Sequence, residues 1–96
     1  MDVLAKYFMR NTNKRSKAIR EAVENVEKLP AYKKRNGDYY VKVMEEIHTN
    51  GDAFLVDEIH RTQKLIFGSI SLNKKDELTT RRNILQQFNK NRRDEL

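Results

Sequence analysis

The stretch Lys17-Ala18-Ile19-Arg20-Glu21-Ala22-Val23-Glu24-Asn25-Val26-Glu27-Lys28 sets Ala18, Ile19, Ala22, Val23 and Val26 at three- and four-residue spacing, with charged side chains between them. A period of 3.6 gathers such positions on one face, so the segment reads as an amphipathic helix and not as a strand, whose side chains alternate. Pro30 interrupts it, because proline has no N–H to give to a helix interior. Upstream, Asp2 to Arg10 places Val3, Leu4, Tyr7 and Phe8 on one face behind an Asp N-cap, and the polar Asn11-Thr12-Asn13 separates the two helices.

The same reading extends downstream. A third helix is expected from about Asp38 to His48, with Tyr40, Val43, Met44 and Ile47 inward, and Asn50-Gly51 as its stop. Gly37, a residue unfavourable in a helix interior, leaves its start open. Asp52 is expected to cap a fourth helix with Phe54, Leu55, Ile59, Gln63 and Ile66 as its stripe, ending at Gly68. A fifth begins after Ser71 or Asn73 and runs to about Phe88, with Leu78, Ile84, Leu85 and Phe88 inward. Residues 89–96 are polar, without an apolar face, and are expected to form a flexible tail. The spacing therefore predicts an all-α chain: one small five-helix bundle over residues 1–88, then the tail.

Composition agrees and excludes several functions. The 96 residues give room for one domain, able to hide about 60 to 65 per cent of the surface its unfolded chain exposes. Charged residues make up 35%, with one proline and three glycines, which suits helices and starves an all-β fold of turns. With no cysteine, disulfide scaffolding, thiol catalysis and cysteine-based zinc sites are out of reach. No apolar run approaches the roughly 20 residues of a membrane span, and no membrane insertion is expected. The net charge of +6 is unevenly spread: basic residues dominate both ends, whereas residues 36–60 hold Lys42 against six acidic side chains.

Four features invite functional readings. The last four residues, Arg93-Asp94-Glu95-Leu96, vary a tetrapeptide address that a retrieval receptor of the endoplasmic reticulum reads at a free carboxyl end. The internal Lys75-Asp76-Glu77-Leu78 matches that address perfectly but has no free carboxylate, and is read as helix. A lumenal protein must be translocated, so the address implies a leader upstream of Met1, since no charged-then-apolar leader is seen. Second, the basic runs Lys14-Arg15-Ser16-Lys17, Lys33-Lys34-Arg35 and Arg92-Arg93 could meet phosphates, making a small basic helical nucleic-acid-binding domain the alternative function. No helix-turn-helix spacing, zinc ligand set or stacking platform accompanies them, so solvated faces are the default and no nucleic acid is expected.

Third, Glu45-x-x-His48 and Asp57-x-x-His60 have the helical spacing of metal-binding pairs. A di-metal bundle also needs inward carboxylates from other helices, so these side chains are read as simply facing solvent, and no metal, cofactor or catalytic residue is expected. Fourth, Tyr32, Tyr39 and Tyr40 cluster beside the second basic run, and tyrosine is enriched where proteins meet.

Asp38-Tyr39-Tyr40-Val41-Lys42-Val43-Met44-Glu45, Asn50-Gly51-Asp52-Ala53-Phe54, Lys74-Lys75-Asp76-Glu77-Leu78 and above all Arg82-Asn83-Ile84-Leu85-Gln86-Gln87-Phe88 carry a family resemblance. Through them the chain resembles the C-terminal helical domain of the protein disulfide isomerase D group, the redox-inactive endoplasmic reticulum escort protein and Windbeutel family. The resemblance implies a five-helix bundle that follows a thioredoxin-like domain in the full-length proteins. It also implies a non-enzymatic role in the reticulum lumen: binding secretory client proteins, or the acidic arm domain of calnexin- and calreticulin-type chaperones, to assist folding and export. The sequence departs from the mammalian pattern at Asn36-Gly37-Asp38, where the relative has a tryptophan-containing helical stretch. With the retrieval receptor on the tail, these are the expected partners. Tyr32, Lys33, Lys34, Arg35 and Tyr39 are the expected contact residues, the cations steering an acidic partner and the rings supplying contact area.

Overall fold

The computed structural model describes residues 2–68 and 71–91, the side chain of Asp2 excepted. Five helices follow one another: α1 (Asp2–Arg10), α2 (Arg15–Glu27), α3 (Ala31–Asn50), α4 (Ala53–Phe67) and α5 (Leu72–Lys90), with a 3-10 turn at Thr12–Lys14 before α2. The described residues contain no strand. The chief packings are α2 on α3 and α4 on α5, two antiparallel neighbours joined by short loops, with α1 bridging α2 and α5. The core is one cluster, in which Phe8 and Met9 meet Val43, Met44, Ile47, Leu55, Leu85 and Phe88, all essentially inaccessible.

Helix ends follow the punctuation of the sequence at most sites. Gly51 adopts φ 85°, the left-handed region that a side chain disfavours, and its N–H closes α3 on the Ile47 carbonyl at 2.8 Å. Gly68 ends α4, and the Ser71 hydroxyl caps α5 by accepting from the Lys74 N–H at 3.2 Å.

Several expectations are corrected, among them Val23, which is 40% exposed on α2 and not inward. The third helix begins at Ala31, seven residues before Asp38, and passes straight through Gly37. Gly37 is buried inside it because α2 lies against this point: a Cβ here would stand 2.8 Å from Val26 Cγ2 and 3.0 Å from Leu29 Cδ1. α1 buries Ala5, Phe8 and Met9, leaving Val3 84% exposed, since a helix with apolar residues nearly all round takes its phase from its neighbours. Asp52 makes no cap bond; it is αR, and its carboxylate faces Arg15 instead. On α4, Thr62 is buried at the stripe position where Gln63 was expected, on the 55, 59, 62, 66 row. Finally α5 runs to Lys90, two residues past Phe88, and Asn91 closes it by donating to the Gln87 carbonyl at 2.8 Å.

Arg15, read as part of a solvated run, is only 8% exposed. The last carbonyls of a helix lack intrahelical donors, and those of α1 are met from outside: Arg15 Nε donates to the Phe8 carbonyl at 3.1 Å, Asn11 Nδ2 to the Tyr7 carbonyl at 2.9 Å. The guanidinium also lies 4.7 Å from the Phe8 ring centre and 3.5 Å from Asp52, so one cation ties α1 and α2 to the start of α4.

Candidate interaction surface on helices 3 and 5

The five expected contact residues lie on the first half of α3, and its helical continuity through Gly37 sorts them. Tyr32, Arg35 and Tyr39 fall at i, i+3 and i+7, on one stripe. Tyr32 is 79% exposed, with the Lys33 ammonium 5.8 Å from its ring centre. Lys34 is exposed and forms no ion pair among the described residues. Arg35 and Tyr39 turn toward α5, where they line a cleft of about 200 Å3 with Asp76, Glu77 and Arg81 among its other walls.

Glu77 is the centre of this cleft. Its carboxylate accepts from Arg35 Nη2 at 2.7 Å and lies 3.1 Å from Arg81 Nη2 and 3.5 Å from Lys74 Nζ. Shielding by the protein disfavours the charged form, but the three cations outweigh it and hold the Glu77 pKa below its usual value. Arg81 also lies over the Tyr39 ring at 5.3 Å. Beside it, Glu58 takes two bonds from Arg61, at 2.6 and 2.9 Å. Lys74 and Arg81 stand three before and four after Glu77, a spacing visible in the sequence, whereas Arg35 is 42 positions away and nothing local announced it.

Burial pushes the Tyr39 hydroxyl pKa up, the Glu58 charge adds to the effect, and Arg81 and Arg61 oppose it. The Arg61 hydrogen bond pulls Glu58 down, outweighing its burial. The signs predict stability at both ends of the pH scale. A carboxylate depressed in the folded state contributes above its unfolded pKa and ceases to as pH falls through its folded one; a raised tyrosine contributes below about 10 and loses that contribution as pH climbs further. Melting temperature is therefore expected to fall in acid and again above pH 10. Tyr39→Phe should flatten the alkaline fall and Glu58→Gln the acid one; an alkaline limb unchanged by Tyr39→Phe would refute the assignment.

The other expected features are dispersed. Glu45 and His48 face the seam between α2 and α3, where His48 Nε2 is 3.4 Å from Ser16 Oγ, while Asp57 and His60 line a separate cleft on α4. Among the described residues no group of three or more His, Asp or Glu is placed to hold a metal ion. Lys75 to Leu78 lies within α5, with Leu78 buried. The tail residues Arg93, Asp94, Glu95 and Leu96 lie outside the described residues. No helix of the described residues is long and apolar enough to cross a membrane.

The surface thus combines paired ions, an exposed tyrosine and exposed lysines, in a chain whose lack of cysteine leaves no thiol chemistry. Comparison with known proteins gives this surface its setting. The chain is 39% identical over 74 residues to Protein disulfide-isomerase 1 of Dictyostelium discoideum, covering 77% of this chain and 20% of that protein. It is 35% identical over 89 residues to the protein named "Probable protein disulfide-isomerase A6" of Medicago sativa, covering 92% and 24%. Protein disulfide isomerase-like 2-2 of Oryza sativa subsp. japonica is 30% identical over 89 residues, with the same coverage. The chain thus spans about a fifth to a quarter of the length of these relatives. No solved structure matches it at comparable significance. The model of the family "Endoplasmic reticulum protein ERp29, C-terminal domain" matches residues 1–88, all five helices but the last two residues of α5, and the chain belongs to that family.

Proposed function

We propose that this domain is a non-enzymatic adaptor of the endoplasmic reticulum lumen that binds secretory client proteins or lectin-chaperone partners and so assists their folding and export. The observation that carries the reading is a family of disulfide-isomerase relatives meeting a chain without a single cysteine. A helical domain that lacks the thiol serves such proteins through contact with others. The first turns of α3 suit an acidic partner: Tyr32 brings an exposed ring, and Lys33 and Lys34 bring charges that pair with no carboxylate among the described residues. Arg35 contributes less, being already held by Glu77. Residues Arg93 to Leu96 are offered as the retrieval signal that returns the protein to the reticulum.

The test is a titration of the 15N-labelled chain with the isolated acidic arm domain of a calreticulin-type chaperone. Resonance shifts are expected to concentrate between Tyr32 and Tyr39, and Lys33→Glu with Lys34→Glu should weaken binding at least about tenfold. Absence of shifts there, or unchanged affinity in the double variant, would overturn the reading. Salt-sensitive binding to generic duplex DNA or RNA, with no response to the arm domain, would favour a nucleic-acid partner instead.

A further inference from the structure

A second surface runs along the seam between α2 and α3. Three adjoining hollows of about 720, 290 and 350 Å3 lie there, and Glu45 borders all three. The floor is apolar: Ile19 and Val41 pack partly against the core, and Val23 remains 40% exposed. The walls are acidic in excess, with Glu21, Glu24 and Glu27 from α2 and Asp38 and Glu45 from α3, against Lys17, Arg20 and Lys42.

These five carboxylates differ from Asp52, Glu58 and Glu77. Asp52, Glu58 and Glu77 each lie within salt-bridge distance of an arginine. Among the described residues none of the five on the α2–α3 seam has a cation so placed, although Lys17 and Arg20 stand one turn before Glu21 and Glu24. An excess of negative charge, outside any salt bridge among the described residues, thus surrounds an apolar floor. Such a floor, rimmed by polar side chains, fits a recognition surface better than an incidental crease.

We infer that the α2–α3 seam is a docking groove for an amphipathic basic helix of another protein, with apolar side chains on Ile19, Val23 and Val41 and Lys or Arg against the acidic rims. The shape favours a helix. α2 is 13 residues long, so the groove beside it extends about 20 Å, the length of three to four helical turns. Two packed helices present a trough in which the ridges of a third can lie at the usual spacing of about 8–10 Å. Charge decides the rest: an acidic segment or an anionic membrane surface would be repelled by the unpaired carboxylates, and a neutral apolar helix would leave them uncompensated. The groove uses none of Tyr32, Lys33, Lys34 or Arg35, so it stands whether or not the acidic-partner reading does. If both hold, the domain joins an acidic partner on one surface to a basic one on another.

The probe is a synthetic helical peptide of about four turns, leucine on one face and lysine flanking it, titrated into the labelled chain. Shifts are expected at Ile19, Val23, Val41 and Glu45, with affinity falling as salt rises. Val23→Lys places a charge on the floor without entering the core, and should weaken binding at least about tenfold. Glu24→Lys combined with Glu45→Lys, at two exposed positions, should do the same if Val23→Lys perturbs the fold. A matched peptide with glutamate in place of lysine should not bind. Equal binding of both peptides, shifts away from the seam, no binding, or affinity unchanged in both variants would overturn the inference.

Discussion

Phe88→Ala is expected to lower the melting temperature by about 15–30 °C. Phe88 is fully buried and joins three helices: its ring meets Phe8 of α1 edge-on, centres 6.0 Å apart and planes at 90°, and Tyr40 of α3 at 5.5 Å. Truncating a buried phenylalanine costs about 3–5 kcal/mol, and lost ring pairs add about 0.5–1.5 kcal/mol each. A domain of this size has roughly 5–14 kcal/mol in total, so one side chain accounts for a large share. α1 should suffer first, being nine residues long and packed against α2 and α5, the helix that carries Phe88. Urea midpoints and amide exchange at Ala5, Phe8 and Met9 would check this. Phe88→Leu, which keeps most of the volume, should cost about a third as much. A melting shift under about 5 °C for the alanine variant would show that the ring is not the keystone its contacts suggest.

Gly37→Val should destabilise by about 1–3 kcal/mol through overpacking. The added Cβ alone would fall 2.8 Å from Val26 Cγ2, and Val26 is itself buried and stiff at χ1. Leu29 Cδ1, at 3.0 Å, is the end of a flexible side chain and can yield. Gly37→Ala should cost less, because alanine regains about 1 kcal/mol of helix propensity over glycine in mid-helix. Val26→Ala opens space at the same contact, so Gly37→Val with Val26→Ala should be less destabilised than the sum of the two singles by about 1 kcal/mol or more. Additive losses would mean that Gly37 serves something other than the approach of α2 to α3. The double variant also bears on the α2–α3 groove, since the separation of those helices sets its width.

Much of the bundle was legible because it depends on neighbours in sequence. Ala18, Ala22 and Val26 on α2, and Leu78, Ile84, Leu85 and Phe88 on α5, are spaced by the helical period and are all buried. Gly51, Gly68 and Ser71 end or begin helices for reasons local to the backbone. Gly37 misled because glycine in a helix is unfavourable taken alone, and the gain that offsets it comes from Val26 across the seam. Arg15 misled for a similar reason. Three further basic or polar residues around it suggest a solvated face, and only the turn at Thr12–Lys14 brings its side chain back onto Phe8.

The candidate surfaces divide in the same way. Tyr32, Lys33 and Lys34 could be singled out by composition, and the pairing of Lys74 and Arg81 with Glu77 by spacing. The meeting of Arg35 with Glu77, and of Arg81 with Tyr39, needed the packing of α3 on α5. Glu45, with the look of an ordinary solvated residue on α3, became the shared wall of three hollows only when α2 was laid beside it.

By itself, then, the sequence determined the all-helical class, most helix ends and the absence of thiol chemistry, since propensity, capping and composition act within a few residues along the chain. The tertiary structure alone decided the rotation of α1, the early start of α3, the burial of Arg15 and which charges are neutralised. Each of these is a choice between locally similar alternatives, separated only by contacts between residues far apart in sequence.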